Sequence, residues 1–451
     1  MPRLSALLLL ALLSTPASAQ SVGASPFAFG SADNPTEVIT RTARGTALRV
    51  DAFGGPSYIG VRWRTGFGID ADAASGPLSL GLSGRLRIGD SGLYDDDVDE
   101  TYDLLRVLRY ARFEPATGVP VYARVGPIAN TTLGTGHLVH SFQTTTAWDE
   151  RTVGAEVGVQ LPAVRLVGFA DDVRLGGVVG GRATVAPFGG SLRPRLRSLE
   201  VGATAVTDLG LPAELATTAL SLDARFDYLR VGDFALSPFV SYARFLEYGD
   251  SFGAGAEFAS TELIGLGRVR ATLGVFRSGS EFVPGYFNAF YSVSNPEARI
   301  WNADAFYRDV ADETVGTPLA EAQGGTSVYF GLRALVFRAF ELATYVRRDY
   351  SDDPLSEAGL RLVVSPNGGD PLRLVFDVQR QGRTSFGSLF GDFRDQNTLT
   401  FHLDYAVTGP AWIFIRSRYG FTRVADGPDG TERYLVERRF EPFVGVRLLL
   451  Q

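Results

Sequence analysis

After about residue 45, the chain alternates with a period of two between apolar residues and residues that are small, polar or arginine. In Leu78–Ile88, the even-numbered positions carry Leu, Gly and Ile, whereas the odd-numbered positions carry only Ser, Gly and Arg. Since successive side chains of a β-strand point to opposite faces, this pattern predicts a strand with one apolar and one polar face. The same alternation occurs in Tyr58–Thr65, Arg268–Val275, Leu372–Gln379 and Leu399–Tyr405.

Segments of this kind follow one another to the end of the chain and are predicted as strands. They cover residues 45–54, 57–68, 77–88, 120–127, 152–161, 163–171, 178–187, 196–209, 217–229, 235–248, 252–261, 264–277, 326–337, 338–350, 357–366, 371–382, 396–407, 410–423 and 435–449. Two further segments are ambiguous. Tyr102–Phe113 fits a short helix nearly as well as a strand, and Pro284–Ser294 fits either a strand or part of a long loop.

The length of the segments separates two all-β architectures. A soluble antiparallel sandwich also alternates, because one face of each sheet is wet, but strands in soluble proteins average about five or six residues. Many segments here are about ten residues long or longer, and their polar faces are rich in arginine and glycine, which suits a water-filled lumen. The chain is therefore predicted to form an all-β, transmembrane, antiparallel up-and-down β-barrel. Bacterial barrels have even strand numbers, so we expect about 18 strands, with 16 and 20 as alternatives and a secreted β-sandwich as the rival fold.

The predicted connections are of two kinds. Tight turns are expected at Gly54-Gly55-Pro56, at Asp171-Asp172, at 366–370 and at 408–410. Long connections are expected at residues 89–101, 128–150, 278–325, 383–395 and 424–432. Short turns on one side and long loops on the other are typical of outer-membrane barrels, so the long connections are predicted to be extracellular.

The N-terminus has the three parts of a secretory signal. A basic start is followed by the apolar run Leu4–Leu13 and by Ala17-Ser18-Ala19, the small residues that precede a cleavage site. Residues 1–19 are therefore predicted to be a signal peptide. A membrane anchor is the alternative, but ten residues of helix span only about 15 Å, half of a hydrocarbon core. We expect residues 20–44 to be a polar lead-in, either flexible or a short plug, and residues 45–451 to be the barrel.

Composition excludes several kinds of site. The chain has no cysteine, which excludes disulfides, a thiol nucleophile and a Cys-ligated metal. Its three histidines leave little for a histidine-rich metal site. The formal net charge of −7 argues against a nucleic-acid-binding surface. No cofactor is expected, and the three counts together favour a protein that is not an enzyme.

The C-terminal strand carries a family resemblance. The chain ends in Phe440–Gln451, and Gly445, Leu448 and Leu450 match the glycine and the two hydrophobic positions of the terminal strand found in bacterial outer-membrane β-barrel proteins. Phe443 occupies a slot that is polar in that family. The sequence thus resembles the outer-membrane barrel family in architecture. The resemblance implies a location in the bacterial outer membrane, contact with its lipid and recognition of this strand by the barrel-assembly machinery, and it leaves a homo-oligomer open.

Arginines on the polar faces are the first candidate functional residues. By alternation, the lumen is expected to contain Arg62, Arg64, Arg85, Arg87, Arg268 and Arg270. Charged rings select ions in pores, so these side chains are candidates for selectivity. The alternative is that they brace the wall by pairing with lumenal carboxylates such as Asp377 and Asp404.

Three loop features are weaker candidates. His137, His140, Ser141 and Asp149 contain the residue types of a hydrolase triad, but His140 and Ser141 are adjacent and would point apart on a strand. The acidic run 95–100 could bind calcium, although it lacks the spacing of an EF-hand and is otherwise a solvated loop. The aromatic run 282–291 could line a constriction or a hydrophobic entrance, or pack on itself over the mouth.

These features lead to one functional expectation and two alternatives. The expected function is a pore or uptake channel through which small solutes diffuse. The first alternative is a structural or assembly barrel plugged by residues 20–44 and 278–325. The second is a hydrolase with a His/Ser/Asp set at the barrel mouth.

Overall fold

The computed structural model describes residues 47–450 except 91, 95–96, 116–120, 129, 192–193, 211–216, 264–266, 295–297, 302–311, 314–318, 320–321, 338, 352–355, 365–370, 383–396 and 425–431. The described part is almost entirely β-structure. Its helices are α1 (Asp103–Arg106), α2 (Pro194–Arg197) and α3 (Tyr291–Ser294). No helix among these residues has the length and apolar character needed to span a bilayer. The predicted signal peptide and lead-in, residues 1–44, lie outside the described residues.

The strands follow the order of the chain. The first twelve are β1 (Ala47–Ile59), β2 (Arg62–Ser75), β3 (Leu78–Gly89), β4 (Gly92–Leu93), β5 (Leu108–Phe113), β6 (Val121–Gly126), β7 (Gly154–Gln160), β8 (Val164–Ala170), β9 (Val178–Val185), β10 (Glu200–Asp208), β11 (Thr218–Arg225) and β12 (Leu229–Val231). The others are β13 (Phe234–Phe245), β14 (Asp250–Leu263), β15 (Gly267–Ser278), β16 (Ala298–Trp301), β17 (Asp312–Glu313), β18 (Gly325–Val336), β19 (Phe340–Asp349), β20 (Ser356–Val364), β21 (Leu372–Gly382), β22 (Asn397–Thr408), β23 (Ala411–Val424) and β24 (Glu432–Leu450).

Twenty of the described strands form a closed antiparallel barrel, and β4, β12, β16 and β17 are short additions to it. The barrel closes where β1 pairs with β24, from Leu48 opposite Leu450 to Ile59 opposite Arg439. The predicted fold class is confirmed, and the strand number is two above the expected 18, at the upper alternative. The predicted segments number 19, one more than the even total of 18, and the twentieth strand, β5, lies in Tyr102–Phe113 together with α1. Every other barrel strand matches one predicted segment.

The outer surface of the barrel is apolar. On β2, Trp63, Phe67 and Ile69 are each more than half exposed, whereas Asp70 and Asp72 on the other face are buried in the lumen. A closed sheet with an apolar exterior satisfies every backbone hydrogen bond and can be solvated by lipid. A sandwich would bury its apolar faces between two sheets instead. The protein is therefore an outer-membrane β-barrel, and the sandwich is wrong.

One predicted turn is wrong. Gly54-Gly55-Pro56 lies inside β1, and the chain turns at Gly60 and Val61 instead. The pairing of β1 with β2 is continuous through this segment, but the ladder to β24 is interrupted between Gly54 and Tyr58, opposite Pro442. Prolines lack the N–H that a ladder requires, so they occur in strands at breaks of this kind. The Gly-Gly-Pro signal therefore marks an irregularity in the seam rather than a turn.

The connections divide as expected between the two rims. Both ends of the barrel lie at one rim, together with the predicted turn at 408–410 between β22 and β23. The opposite rim carries the long connections, which include 90–107, 127–153 and 279–324. By the outer-membrane rule, the rim with the chain ends is periplasmic and the other is extracellular. Asp171-Asp172, predicted as a tight turn, instead begins the seven-residue connection 171–177 to β9, and this connection lies at the extracellular rim. The predicted turn 366–370 and most of the predicted loops 383–395 and 424–432 lie outside the described residues.

Candidate functional site in the barrel lumen

Two extracellular connections fold inward and occupy the lumen. They are residues 127–149, which follow β6, and residues 282–294, which follow β15; together we call them the plug. The two segments are joined by a parallel bridge between Val139 and Phe287. The backbone N–H of His140 donates to the carbonyl of Phe287 at 3.0 Å, and that of Gly285 donates to the carbonyl of His137 at 2.9 Å. The alternative of a plugged barrel named residues 278–325 and 20–44, of which 20–44 lie outside the described residues, and it did not include 127–149.

One side of the plug is apolar and packs on the barrel wall. Phe287 is fully buried, with its ring centroid 4.9 Å from that of Tyr291 and 6.4 Å from that of Phe245 on β13. Phe142 lies 5.3 Å from Phe169 on β8. The cluster extends along the inner faces of β8 to β13. Burial of this apolar surface attaches the plug firmly to that wall.

Polar side chains of the plug fix it at several further points. His137 Nδ1 lies 2.9 Å from Ser241 Oγ on β13, and His140 Nε2 lies 3.3 Å from Tyr329 Oη on β18. Asn288 Nδ2 donates to Glu357 Oε1 on β20 at 2.6 Å, and Tyr291 Oη donates to Asp208 Oδ2 on β10 at 2.6 Å. Asp149 pairs with Arg439 on β24. Contacts so widely spaced around the barrel hold the plug across the lumen rather than at its edge.

The histidines of the plug do not form the hydrolase set. Among the described hydrogen bonds, none joins either imidazole to Ser141 or Asp149. His137 does contact a serine, Ser241, but both groups are buried and its Nε2 has no hydrogen-bond partner that would orient the ring. Burial, together with the nearby Arg347 guanidinium, lowers the pKa of His137 and of His140 to about 3. Neutral, enclosed imidazoles of this kind are structural contacts.

The other side of the plug also contacts the wall, where Ala147 forms a bridge to Phe421 on β23 and packs in an apolar cluster with it, and a narrow polar cleft remains beside this contact. The free space in the cleft is about 20 Å³, enough for about one water molecule, and it lies between the plug and β21, β22 and β23. Its lining consists of Asn130, Gln143, Thr145 and Thr146 from the plug and Asp377, Thr398, Thr400, Arg418, Tyr419 and Gly420 from the wall. The sequence patterns did not indicate this site, because neither wall nor loop carries a recognisable motif.

Several polar side chains of the cleft form hydrogen bonds or ion pairs with neighbouring residues. Gln143 donates to Thr146 at 3.1 Å, and Asp377 accepts from Gln379 at 3.3 Å. Asp377 also lies 3.4 Å from the guanidinium of Arg361. Asn130 differs from these residues. It is buried with φ at 57°, and its Oδ1 has no hydrogen-bond partner among the described residues. A buried amide oxygen without a partner is costly, which points to a ligand or water at that position.

Four of the six predicted lumen arginines lie inside the barrel. Arg87 donates to Glu441 at 2.8 Å and also pairs with Asp97, and Arg85 lies 3.5 Å from Glu441. Arg64 stacks on an aromatic ring of the extracellular loop, and Arg270 lies 3.8 Å from a glutamate of β14.

The other two predicted arginines are solvent-exposed at opposite rims. Arg62 lies beside the extracellular turn between β1 and β2, and Arg268 lies at the periplasmic end of β15. Both have the predicted strand parity, but they stand beyond the part of the wall that encloses the lumen.

The predicted carboxylates are paired with other arginines. Asp377 pairs with Arg361, and Asp404 lies 2.6 Å from Arg416 and 3.1 Å from Arg447. Alternation identifies the inward face of each strand, but partners on distant strands cannot be read from it.

Ionic side chains on two parts of the barrel wall differ in their exposure to solvent. On the wall from β22 to β3, Arg49, Arg87 and Arg447 are at most 6% exposed. On the wall from β11 to β18, Arg225 and Arg333 are each 34% exposed, although they pair with glutamates at 2.7 and 2.6 Å. The first wall is therefore packed, and the second faces water in the periplasmic half.

The acidic loop contributes to this pairing. Asp97 contacts Arg87, while Asp95 and Asp96 lie outside the described residues. Within the described part of the chain, no cluster of acidic or histidine side chains could hold a metal ion. Calcium binding by this loop stays a hypothesis without structural support.

The three residues of the predicted assembly signal lie at the closing seam. A Cβ atom on Gly445 would come within 2.2 Å of the Ala52 carbonyl on β1, so a side chain there would collide with the neighbouring backbone. Leu448 is 52% exposed on the lipid face, and Leu450 pairs with Leu48. These positions explain a structural need for the glycine, and recognition by an assembly machinery remains a prediction.

Comparisons with known proteins give similarity of architecture only. No protein-family model and no curated protein matches the chain. Solved structures similar to it include OpdL of Pseudomonas aeruginosa, 13% identical over 90% of this chain and 99% of that one, with a TM-score of 0.34. Others are OpdK of the same organism with vanillate, at 11% identity, 90% and 98% coverage and a TM-score of 0.34, and Wzi of Escherichia coli, described as a carbohydrate-binding β-barrel of capsule assembly, at 12% identity, 88% and 84% coverage and a TM-score of 0.38. Values this low assign neither a family nor a substrate.

Proposed function

We propose that the protein is a plug-constricted channel that takes up small polar solutes across the outer membrane. The solute passes between the polar side of the plug and the wall formed by β21, β22 and β23. The observation that carries this proposal is the polar crevice that remains between the plug and β21, β22 and β23, beside the apolar contacts that hold the plug to β8–β13 and to β23 and β24.

The periplasmic half supports the same function. The exposed arginines and glutamates from β11 to β18 provide a wet surface below the plug. Their charges are paired, so they hydrate a solute without retaining ions of one sign. The lumen arginines then act mainly as wall supports rather than as a selectivity ring.

Cysteine chemistry tests the route directly, because the natural chain has no cysteine. Thr400→Cys places a thiol in the cleft, and Thr204→Cys places one on the inner face of β10, nearly opposite in a closed barrel of twenty strands. In planar bilayers, we expect a cationic methanethiosulfonate reagent to reduce the single-channel current of Thr400→Cys and to leave that of Thr204→Cys unchanged.

The opposite results have distinct meanings. A current reduced only at Thr204→Cys would place the route against the β10 wall and reject the proposed one. A wild-type barrel that inserts but never conducts would reject the channel and favour the plugged structural barrel.

A further inference from the structure

We infer that the outer face of the barrel carries a binding site for the phosphate groups of a lipid in the outer leaflet of the membrane. The site is a row of three exposed arginines at the extracellular rim, Arg244, Arg277 and Arg348. The inference goes beyond the proposed function, because the row lies on the lipid face and its role does not depend on whether the barrel conducts. It is carried by the position of the row at the top of an apolar wall.

The three arginines occupy equivalent positions. Each is the second-last residue of a strand that ends at the extracellular rim, on β13, β15 and β19 respectively. Alternation turns all three outward, because the residues next to them face the lumen. Phe245 and Phe276, next to the first two, are buried. Arg347, next to the third, pairs with Glu357 inside the barrel at 2.7 Å. The row therefore belongs to the outer surface of one sector of the barrel.

The spacing of the row suits a phosphate held between neighbours. One strand separates each arginine from the next, since β14 lies between β13 and β15, and β18 lies between β15 and β19. In both pairs the two arginines are also offset by two residues in register. With strands about 4.8 Å apart, neighbouring arginines in the row are about 12 Å apart at their Cα atoms. Two arginine side chains can meet at one phosphate over that distance, and each guanidinium can donate two parallel hydrogen bonds to it.

The wall around and beneath the row is apolar. Its outer face carries Phe252, Leu273, Val275 and Phe330 on β14, β15 and β18, which are each between 44% and 56% exposed. Such a surface contacts acyl chains. A charged side chain on it is costly at the centre of the membrane and nearly free of cost at the headgroup level. The arginines therefore lie where a lipid whose chains cover this wall has its phosphate groups.

The charges of the row are available to a ligand. Arg277 Nη1 donates to Thr326 Oγ1 at 2.8 Å, and the Cζ atom of Arg348 lies 4.6 Å from the centroid of the Tyr350 ring. Neither contact neutralises a guanidinium. Within the described part of the chain, Arg244 and Arg277 form no ion pair. The Thr326 hydroxyl accepts from Arg277 and keeps its own proton to donate to a phosphate oxygen.

One carboxylate belongs to the same surface. Asp250 on β14 lies opposite Arg244, but its Oδ2 accepts a hydrogen bond from Tyr242 Oη at 2.8 Å instead of pairing with the guanidinium. Counting this residue, the row carries three positive charges and one negative charge. A phosphate complements this excess.

Other strands that end at the same rim differ. On β1, β3 and β6, the second-last residue also faces outward, and these residues are Tyr58, Ile88 and Val125. Charges that only marked the boundary of the membrane would not be concentrated on neighbouring strands. Several like charges on one sector repel one another, and an anionic ligand offsets this repulsion.

The test measures the binding of lipid A, a glycolipid with two phosphate groups, to the detergent-solubilised barrel by native mass spectrometry. We expect the triple variant with Arg244→Gln, Arg277→Gln and Arg348→Gln to raise the Kd of lipid A by about tenfold or more. Removal of one phosphate from the lipid should weaken its binding to the wild type and have little effect on its binding to the triple variant. The band shift between boiled and unboiled samples should persist, because the changes lie on the exposed face.

The matched control replaces three exposed arginines outside the row, Arg62, Arg230 and Arg268, with glutamine. It removes the same total charge, and Arg62 lies at the same rim in another sector, so lipid A should bind this variant as it binds the wild type. Unchanged binding in the first triple variant, or an equal loss in both, would overturn the inference. Displacement of lipid A by inorganic phosphate at equal concentration would also overturn it, since the site would then hold a free anion rather than a lipid.

Discussion

Phe287 should decide whether the plug stays docked, because it is the centre of the plug's apolar side. Its side chain is fully buried against Tyr291, Tyr286 and Phe245. Its backbone also forms the bridge to Val139 that joins the two plug segments. Phe287→Ala removes the ring and leaves this bridge in place, so it tests packing alone.

The magnitude follows from burial. Phenylalanine-to-alanine substitutions at fully buried sites cost about 3–5 kcal/mol. Since about 1.4 kcal/mol changes an equilibrium tenfold, the ratio of docked to released plug should fall by roughly two to three and a half orders of magnitude. The barrel itself should be little affected, because its strands remain paired around the full circumference.

Two measurements report this shift. In planar bilayers, we expect Phe287→Ala to open to larger and noisier conductance levels than the wild type. In intact membranes, we expect chymotrypsin to cleave within the plug, where Phe142 and Tyr291 are protected in the docked state. The band shift between boiled and unboiled samples should remain, since it reports the folded barrel.

Phe414→Ala is the matched control. Phe414 is equally buried, but it packs in a separate cluster with Phe53 and Phe443 at the barrel seam. We expect this variant to lower barrel stability and to leave plug protection unchanged. If Phe287→Ala and Phe414→Ala gave the same protease pattern and conductance, the plug would not be held by its apolar side, and the reasoning would be refuted.

Three further predictions concern the wall, the extracellular rim and the terminal strand. Asp404→Ala leaves Arg416 and Arg447 without their shared carboxylate, so the barrel should lose about 3–5 kcal/mol of unfolding free energy in urea titrations, and an unchanged midpoint would contradict the role of this pair. Burial raises the pKa of Asp171 to about 7, with Asp208 and Asp172 contributing. The folded protein therefore binds this proton more tightly than the unfolded chain does, and the stability that the proton contributes is lost as pH rises from about 4 through 7. The temperature at which the gel shift occurs should exceed that of the wild type by a growing margin in Asp171→Asn over this range, whereas a constant margin would exclude the titration. If the assembly machinery recognises the terminal motif, Leu448→Asp should lower the amount of protein in the outer membrane, as measured by immunoblot, far more than Val444→Asp does. Both side chains face lipid, so equal losses would indicate a lipid effect alone.

The barrel could be predicted from the sequence because its signal is local. Each strand alternates within its own residues, so the inward face of Leu78–Gly89 is evident without knowledge of its neighbours. The Tyr102–Phe113 segment was ambiguous for a physical reason: four residues form α1, and the next form β5. Because that segment has no single periodicity, its strand was the one missing from the 19 predicted segments.

The plug could not be predicted in the same way because its packing is non-local. Ile128, Leu138 and Phe142 were visible as apolar residues in a long connection, but no periodicity connects them with Phe245 or Phe169 on the wall. Apolar residues in a supposedly solvated loop were the available signal. The aromatic run 282–291 was interpreted as lining a constriction or a hydrophobic entrance, or as packing on itself over the mouth; in the structure it lies inside the lumen and packs on 127–149.

Several arginines of the lumen form ion pairs at the seam between β1 and β24, where the barrel closes. Arg447 on β24 donates two hydrogen bonds, at 2.8 and 3.0 Å, to Asp51 directly opposite on β1. Glu441 on β24 accepts from Ser57 on β1 and from Arg87 on β3. A shift of one residue would turn every side chain of a strand to the wrong face. Charge pairs between β1 and β24 therefore favour one register for closing the barrel. These charges are therefore committed to the wall that closes the barrel.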